Sequence, residues 1–507
     1  MPALPVLVPL AAAALLVALS VERLAAQRAV AVGACAAQLA VALALLAASA
    51  SGEVRSYALG GWPGPFGIVL VVDRLAALML TLTAVVALAA AAYAAAGWDA
   101  RGRHFHALFQ FQLVGLNGAF LTGDLFNLFV FFEVLLIASY CLLAHGLGVA
   151  RLRAALHYVV LNLAASALFL IAVSLLYGVT GTLNMADLAV RAGQAEPADA
   201  PLVAAGALLL LVVFGVKAAL FPLYFWLPGA YAAAAAPVAA LFSIMTKVGV
   251  YAIIRVHGQV FGPDAGGVAL VAAPWLVPTA LVTLALGILG ALAARSLAGL
   301  TAYLTVASVG TALAAAGLLT AAGVAAGIFY LVQSTLVIAA LFLLGELIAL
   351  QRGEAADALE TGRPVAQPLL LGVLFLIAGM TVVGMPPFSG FLGKLMILHA
   401  ARDATAGPWI WTVILATGLL ALVGVARAGS AVFWRVSSEP PGAAKAGAAA
   451  APAAALVAAA VLVVACAAPL KSFADATAAQ ILDRRAYVDA VLSPQAPPYR
   501  SGPREAR

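Results

Sequence analysis

Long apolar stretches constrain the fold of this chain more than any other feature. Between Pro201 and Ile254 the only charged residues are Lys217 and Lys247. Of all 507 residues, 65% are hydrophobic and 9% are charged, whereas soluble proteins average about 25% charged residues. Such a chain cannot cover itself with polar surface, so the sequence predicts an all-α polytopic membrane protein.

Apolar runs that are long enough to cross a bilayer occur along most of the chain. A spanning helix needs about 20 apolar residues, and this criterion predicts about 14 transmembrane helices. The predicted spans are residues 3–21, 29–49, 68–96, 105–121, 125–145, 156–177, 202–222, 229–256, 271–293, 299–319, 323–350, 368–400, 409–434 and 452–470. No basic region precedes the first run, so it is predicted to be a span rather than a cleaved signal peptide.

Basic residues in the loops predict the orientation. If the spans alternate, one side of the membrane carries Arg23, Arg28, Arg101, Arg103, Arg151, Arg153, Arg295, Arg352, Arg363, Arg435 and Lys445. The positive-inside rule assigns these loops to the cytoplasm and both termini to the periplasmic side. The same rule accounts for the net charge of +6, so no nucleic-acid partner is predicted.

Four ionisable residues lie alone inside predicted spans: Glu133, Lys217, Lys247 and Lys394. A charge at bilayer depth costs roughly 2.5–3.5 kcal/mol on insertion scales, so isolated intramembrane charges usually serve a function. Glu133 lies nine residues after Asp124, which is about 13 Å of helical rise. One acid and three amines on separate spans indicate a route for protons or cations. The structural alternative for each is a static ion pair or a lysine that reaches a helix end.

Prolines predict broken helices in two of these spans. Pro222 and Pro228 lie beyond Lys217, and Pro386 with Pro387 interrupts the span that holds Lys394. The missing amide at Pro222 is expected to free a backbone carbonyl beside Lys217. Interrupted spans in corresponding halves are typical of inverted-repeat transporters. The sequence therefore predicts two inverted five-helix repeats, spans 4–8 and 9–13, with spans 7 and 12 broken.

The predicted repeats divide the chain into four parts. Residues 1–104 hold the first three helices, residues 105–256 the first half, and residues 271–435 the second half. Residues 436–507 hold the final helix and a polar tail. After Lys471 this tail is expected to be loosely ordered.

Further polar residues extend the predicted route. His399 follows Lys394 by five residues and is a candidate for an exit path. Ser334 and Thr335 follow Gln333 in span 11 and are candidates for a relay. These hydroxyls could hold a water chain between the two halves, or they could bond to backbone within their own helix.

The sequence predicts no metal site and no cofactor. Cys35, Cys141 and Cys466 are far apart and lie within apolar runs. They form no CxxC pair and no cluster with histidine at metal-ligand spacing, which disfavours disulfide, zinc and iron–sulfur sites.

The segments around the four charges resemble a known family. Residues 104–145 read HFHALFQFQLVGLNGAFLTGDLFNLFVFFEVLLIASYCLLAH, and GVKAALFPLYFWLPGAY, SIMTKVGVYAIIR and GMPPFSGFLGKLMIL surround Lys217, Lys247 and Lys394. These segments resemble the D-type subunit of the Mrp-type multisubunit sodium/proton antiporters, and the resemblance covers roughly residues 65–435. The same superfamily includes the antiporter-like subunits of respiratory complex I and of membrane-bound hydrogenases.

The resemblance implies a role for each charge. A glutamate on the fifth span pairs with a lysine on the seventh, a lysine on the eighth continues the path, and a charge on the broken twelfth span ends it. By resemblance these roles fall on Glu133, Lys217, Lys247 and Lys394. Many complex I relatives carry a histidine and a lysine on the eleventh span, where this chain has Gln333 and Ile338. This departure favours the D-type antiporter subunit and leaves the link between the two half-channels open.

The function implied by the resemblance is transport, not enzymatic catalysis. The chain would be a proton-translocating subunit of a monovalent cation (Na+)/H+ antiporter in a bacterial inner membrane, with H+, Na+ and other subunits as partners. One alternative is a proton-pumping subunit of a complex I-like NADH:quinone oxidoreductase or a membrane-bound hydrogenase. Its redox chemistry would belong to partners, because the chain has no NADH, quinone or iron–sulfur motif. A scaffold without transport of its own is the third possibility.

Overall fold

The computed structural model describes residues 1–20, 22–146, 148–441 and 446–493, which are almost entirely helical. The helices are α1 (Leu4–Ala18), α2 (Leu24–Ser49), α3 (Arg74–Ala95), α4 (Phe105–Leu121), α5 (Leu125–Ala144), α6 (Val149–Thr180), α7 (Met185–Gly193), α8 (Ala200–Ala218), α9 (Trp226–Ala233), α10 (Ala236–Ile253), α11 (Ala273–Ala293), α12 (Leu297–Ala316), α13 (Ala321–Gln351), α14 (Pro368–Val383), α15 (Ser389–Ala400), α16 (Gly407–Phe433), α17 (Ala450–Ala465), α18 (Ala467–Leu482) and α19 (Arg485–Leu492). A π-helical segment, Ile254–Val260, continues α10.

The prediction of an all-helical, multi-pass membrane protein is confirmed. Within the described residues, 11 helical segments are long and apolar enough to cross a membrane, and two shorter apolar helices are α1 and α14. Most boundaries agree with the predicted spans, because apolar runs of this length leave the backbone no other way to satisfy its hydrogen bonds in lipid. The finer count of about 14 spans stays a prediction.

Short connections meet at two ends of the bundle. At one end, the strands β1 (Arg55–Ala58) and β2 (Val69–Val72) form an antiparallel pair. Beside them, Asp124 pairs with Asn184 through the backbone. We call this the hairpin end.

The opposite end carries most of the loop arginines. Ser296 pairs there with Ala358 through the backbone. This contact joins two loops that are predicted to lie on the same side of the membrane if the spans alternate. We call this the arginine end, defined by Arg28, Arg101, Arg151, Arg295 and Arg352. Lys445, which the alternation of spans places on the same side, lies outside the described residues.

Polar side chains cap the helices where they leave these ends. The Asp124 carboxylate accepts from the amide of Asn127 at 2.8 Å at the start of α5. At the arginine end, Ser296 Oγ accepts from the amide of Gly299 at 3.0 Å at the start of α12. Such caps satisfy amides that have no intrahelical partner, so a single Asp or Ser sets each helix start.

Helices α8 and α10 are in backbone contact where they carry their lysines. A Cβ atom on Gly249 would lie 2.5 Å from the amide nitrogen of Ala218. Ala218 directly follows Lys217, and Gly249 lies two residues after Lys247. Small residues allow such close approach between membrane helices, so this glycine brings the two lysine-bearing helices together.

The expectation of a loosely ordered tail after Lys471 is wrong for the part of the tail that the structure describes. Helices α18 and α19 extend to Leu492 and pack on the hairpin end. Arg484 Nη2 donates to the backbone carbonyl of Asp264 at 2.8 Å. This polar segment is ordered by tertiary contacts, which cannot be predicted from its composition.

Candidate functional site

Glu133 and Lys217 are connected through a serine that sequence reasoning did not identify. Ser166 of α6 donates a hydrogen bond to the Glu133 carboxylate of α5. Lys217 Nζ of α8 donates to Ser166 Oγ at 3.3 Å and to the backbone carbonyl of Asn162 at 3.2 Å. A hydroxyl can accept from an ammonium while it donates to a carboxylate. Three helices therefore meet in one acid–hydroxyl–amine series.

The broken helix near Lys217 has a different role from the expected one. Pro222 was expected to free a carbonyl for the ammonium, but the Lys217 ammonium bonds to Asn162 on α6. Trp226 Nε1, beyond the break, donates to the carbonyl of Val216 at 3.0 Å and so satisfies an acceptor in the last turn of α8. The break thus ends α8 next to Lys217, and the neighbouring helix supplies the acceptor for the ammonium.

Lys247 is fully buried on α10 and contacts hydroxyls. Its Nζ donates to Ser308 Oγ of α12 at 2.7 Å and to Thr246 Oγ1 at 3.4 Å. The Lys247 side chain shows 0% exposure. Among the described residues its polar contacts are uncharged, so a protonated Lys247 lacks a counterion, which is an expensive arrangement in a protein interior.

The predicted relay residues on α13 bond mainly to their own helix. Ser334 Oγ donates to the carbonyl of Leu331 at 3.2 Å, and Thr335 Oγ1 donates to the same carbonyl at 2.7 Å. A hydroxyl that donates to its own helix can still accept a hydrogen bond from another group. By contrast, the amide oxygen and nitrogen of Gln333 are buried and have no hydrogen-bond partner in the part of the chain that the structure describes. Gln333 is thus a side chain of α13 whose amide group can still donate and accept hydrogen bonds.

Lys394 lies where the second broken helix resumes. Its Nζ donates at 2.6 Å to the carbonyl of Val383, the last residue of α14. Gly384 follows with a φ of +86°, and a Cβ there would lie 2.8 Å from Lys394 Cδ. The break therefore provides both the acceptor and the room for this lysine. His399 is exposed near the end of α15, and its role in an exit path stays a prediction.

A charged cluster at the arginine end ties α2 to α4. Arg28 Nε donates to Asp99 at 2.7 Å, and His106 Nε2 contacts the same carboxylate at 2.9 Å. Burial raises the pKa of the Asp99 carboxyl, but the hydrogen bonds from Arg28 and His106 outweigh this effect and bring the pKa to about 2. The carboxylate therefore stays charged across physiological pH and keeps the two helices joined.

Several buried or half-buried polar residues were missed by sequence reasoning. Arg255 and Asp73 form an ion pair whose side chains are only 3% and 2% exposed. His257 lies in the π-helical segment and is completely buried. Glu346 is a further charge inside the predicted span 323–350. All three sites were visible as polar residues near span ends, but residue type alone did not separate them from interfacial anchors.

The comparisons with known proteins agree on one family. The profile described as "NADH:quinone oxidoreductase/Mrp antiporter, TM" matches residues 122–421. The chain is 46% identical over 464 residues to the D-type subunit of a probable K(+)/H(+) antiporter of Rhizobium meliloti (strain 1021), and the match covers 85% of this chain and 86% of that protein. It is 38% identical over 442 residues to the D-type subunit of the Na(+)/H(+) antiporter of Bacillus subtilis (strain 168), with 86% and 88% covered.

A solved structure gives the same relationship in three dimensions. The chain superposes with a TM-score of 0.86 on a chain in the structure of the Mrp complex from Dietzia sp. DQ12-45-1b. The two share 30% sequence identity, and the match covers 97% of this chain and 99% of the other. The similarity therefore extends over nearly the whole length of both chains.

Proposed function

Because the chain belongs to the NADH:quinone oxidoreductase/Mrp antiporter family, we propose that it is the D-type, proton-translocating subunit of a multisubunit monovalent cation/H+ antiporter. It is a transporter subunit and not an enzyme. The observation that carries this proposal is the series in which Ser166 joins the Glu133 carboxylate to the Lys217 ammonium. A half-buried acid and a buried amine that share one hydroxyl can pass a proton without a large movement of the backbone.

The geometry supports the following sequence of events. With Lys217 protonated, its ammonium donates to Ser166 and stabilises the Glu133 carboxylate. When the Lys217 proton moves on to a neutral Lys247, the ammonium at Lys217 becomes a neutral amine. The Glu133 carboxylate then lacks the positive charge that stabilised it and takes up the next proton. The Ser166 hydroxyl passes this proton on to Lys217. The close contact of α8 and α10 at Gly249 favours transfer between the two lysines.

The route continues through the second half. Ser308 of α12 holds Lys247, and Ser243 Oγ of α10 approaches the carbonyl of Thr335 on α13 at 3.4 Å. Gln333 on the same helix has free donors and acceptors among the described residues. We assign it, with Ser334 and Thr335, to the link towards Lys394, and His399 to the exit. The exposed position of His399 near the end of α15 supports that role.

The proposed architecture has 14 spans, with spans 4–8 and 9–13 as inverted repeats and spans 7 and 12 broken. Its parts are residues 1–104, 105–256, 271–435 and 436–507. The interruptions between α8 and α9 and between α14 and α15, each beside a lysine, support this division. The arginine end faces the cytoplasm and both termini face the periplasmic side of the bacterial inner membrane, as the positive-inside rule favours.

The transported cation is proposed to be Na+, as in the name of the Bacillus subtilis relative. The complete set of subunits should be expressed in a host that lacks its own antiporters. In everted vesicles, adding Na+ should then dissipate a preformed ΔpH. A response to K+ alone would assign the cation named for the Rhizobium meliloti relative, and no response to either cation would overturn the antiporter proposal.

Partner identity separates the antiporter from its redox alternative. The chain should be purified from its native membrane, and the co-purifying subunits identified by mass spectrometry. We expect several small membrane subunits of an antiporter complex. Recovery of peripheral subunits with flavin or iron–sulfur clusters would instead assign the chain to a redox-driven proton pump.

Replacing Ser166 by alanine is expected to slow exchange by about tenfold to a hundredfold. The substitution removes a hydrogen bond to a charged group, worth roughly 1.5–3 kcal/mol, and breaks the series between Glu133 and Lys217. Exchange is measured as Na+-dependent ΔpH dissipation in vesicles. Ser139→Ala is the matched control, because Ser139 is a buried serine on α5 that bonds to Tyr158 and not to Glu133. Equal rates for the Ser166 variant and wild type would contradict the relay.

Replacing Gly384 by alanine is expected to displace Lys394 and impair exchange while the complex still assembles. The left-handed backbone alone costs roughly 1–2 kcal/mol for a residue with a Cβ, and the new methyl group would lie 2.8 Å from Lys394 Cδ. Gly372→Ala on α14 is the control, since the nearest atom to its Cβ lies at an ordinary 3.7 Å. If the two variants exchange equally fast, the position of Lys394 is not critical.

A further inference from the structure

His257 is a buried histidine with two free ring nitrogens. Its side chain is 0% exposed, and neither Nδ1 nor Nε2 has a hydrogen-bond partner among the described residues. Buried polar side-chain atoms are nearly always hydrogen-bonded in folded proteins, and each exception requires an explanation. An imidazole with both nitrogens free can accept a proton at one and release it from the other.

The local backbone is unusual at the same place. Residues Ile254–Val260 form a π-helical segment at the hairpin end of α10. Such segments are rare, usually last one turn, and occur frequently at functional sites. His257 lies ten residues beyond Lys247, which is about 15 Å of helical rise. It is therefore on the hairpin-end side of the lysines.

A layer of phenylalanines separates His257 from Lys217. The Phe214 ring lies 6.5 Å from the His257 ring, 6.4 Å from Phe132 and 5.6 Å from Phe169, measured between centroids. Lys217 Nζ lies 5.8 Å from the centroid of Phe132, so the contacts run from the imidazole through Phe214 and Phe132 to the ammonium. Phenylalanine side chains cannot donate or accept a proton, so the layer interrupts the polar path between the imidazole and the ammonium.

Most charged neighbours of this segment already have partners. Arg255 pairs with Asp73, Arg191 of α7 with Asp187, and Lys471 of α18 with Asp475. Arg484 donates to the backbone carbonyls of Ala189 and Asp264. The other titratable groups on the elements around the segment are Tyr251, whose hydroxyl donates to the Phe120 carbonyl, and Asp264, Asp483, Arg485, Tyr487 and Asp489. Among the described residues of this region, His257 is the buried imidazole left available for proton exchange.

We propose that His257 exchanges protons between the hairpin-end surface and Lys217, and that the Phe214 ring is the barrier between them. This inference rests on the proposed antiport function and identifies one of its access paths. His257 takes a proton from water at the hairpin end and becomes an imidazolium. When the Phe214 ring moves aside, the imidazolium gives its proton to the neutral amine of Lys217, which becomes an ammonium. The reverse sequence releases a proton to the same surface.

The first test replaces His257 by glutamine in the complete complex. Exchange in vesicles is expected to fall at least about tenfold, since proton transfer by a positioned side chain contributes roughly 10²–10⁴-fold. The pH profile of the exchange rate should also lose the part that depends on protonation of His257. His157→Gln is the matched control, because His157 is an exposed histidine on α6. If wild type exchanges and His257→Gln retains both the rate and the pH profile, this inference fails while the antiport proposal stands. A wild-type complex that does not exchange would overturn the antiport proposal itself.

The second test opens the barrier and remains informative if the histidine variant assembles poorly. Phe214→Ala is expected to leak protons in the absence of a transported cation, measured as faster decay of ΔpH, whereas Phe214→Leu should retain ΔpH. Adding His257→Gln to Phe214→Ala should abolish the leak, because the proton path then lacks its acceptor. A Phe214→Ala complex that holds ΔpH as well as wild type would overturn the barrier. A leak that persists without His257 would overturn the role of the histidine.

Discussion

Replacing Lys217 by alanine is expected to abolish cation/proton exchange while the complex still assembles. The ammonium contacts Ser166 Oγ and the Asn162 carbonyl, and these contacts connect it to the Glu133 carboxylate. Its loss removes both the proton carrier and the charge that stabilises Glu133. General acid–base groups contribute roughly 10²–10⁴-fold to a rate, so residual exchange should be close to background. Glu133→Ala is expected to have the same effect.

These variants also separate transport from a scaffold role. Exchange is measured as Na+-driven ΔpH dissipation in everted vesicles, and assembly by co-purification of the partner subunits. Lys471→Ala serves as the control, because Lys471 is an exposed lysine that pairs with Asp475 on the same helix. Full exchange in both Glu133→Ala and Lys217→Ala would refute the proposed path. Loss of assembly with no specific loss of flux would instead support a scaffold.

Replacing Arg255 by methionine is expected to destabilise the protein by about 3–5 kcal/mol, the usual cost of leaving one member of a buried ion pair uncompensated. Arg255 Nη2 donates to Asp73 Oδ1 at 2.8 Å, and the two side chains are 3% and 2% exposed. The pair joins α3 to the end of α10 at the hairpin end. We expect a clearly lower unfolding temperature of the purified complex in detergent and a lower yield from membranes.

A second substitution tests whether the unpaired charge is the cause. Asp73→Asn combined with Arg255→Met should recover part of the stability, because uncharged groups are tolerated in place of a buried pair. Asparagine also retains the cap that Asp73 gives to α3. Arg485→Met is the surface control, since Arg485 and its partner Asp483 are 85% and 63% exposed and such pairs contribute about 0–1 kcal/mol. An unchanged unfolding temperature for Arg255→Met would show that this ion pair is dispensable.

The sequence correctly predicted much of the helical framework. Apolar runs identify membrane helices because unpaired backbone groups cannot be left in lipid. Pro222, Pro386 and Pro387 marked the regions where α8 and α14 end, since proline removes an amide that a helix needs. The isolated charges were equally readable, because each stands out in an apolar run. The segments around them carried the family resemblance that the comparisons confirmed.

Only the tertiary structure decided what each charge contacts. Ser166 lies 51 residues from Lys217, and Ser308 lies 61 residues from Lys247. Nothing in the local pattern distinguishes these serines from the many that bond to their own helix. For the same reason, the sequence did not reveal that His257 is buried beside phenylalanines, and it led to the wrong expectation for the polar tail. Helix formation depends on local composition, whereas the pairing of side chains depends on which helix faces pack together.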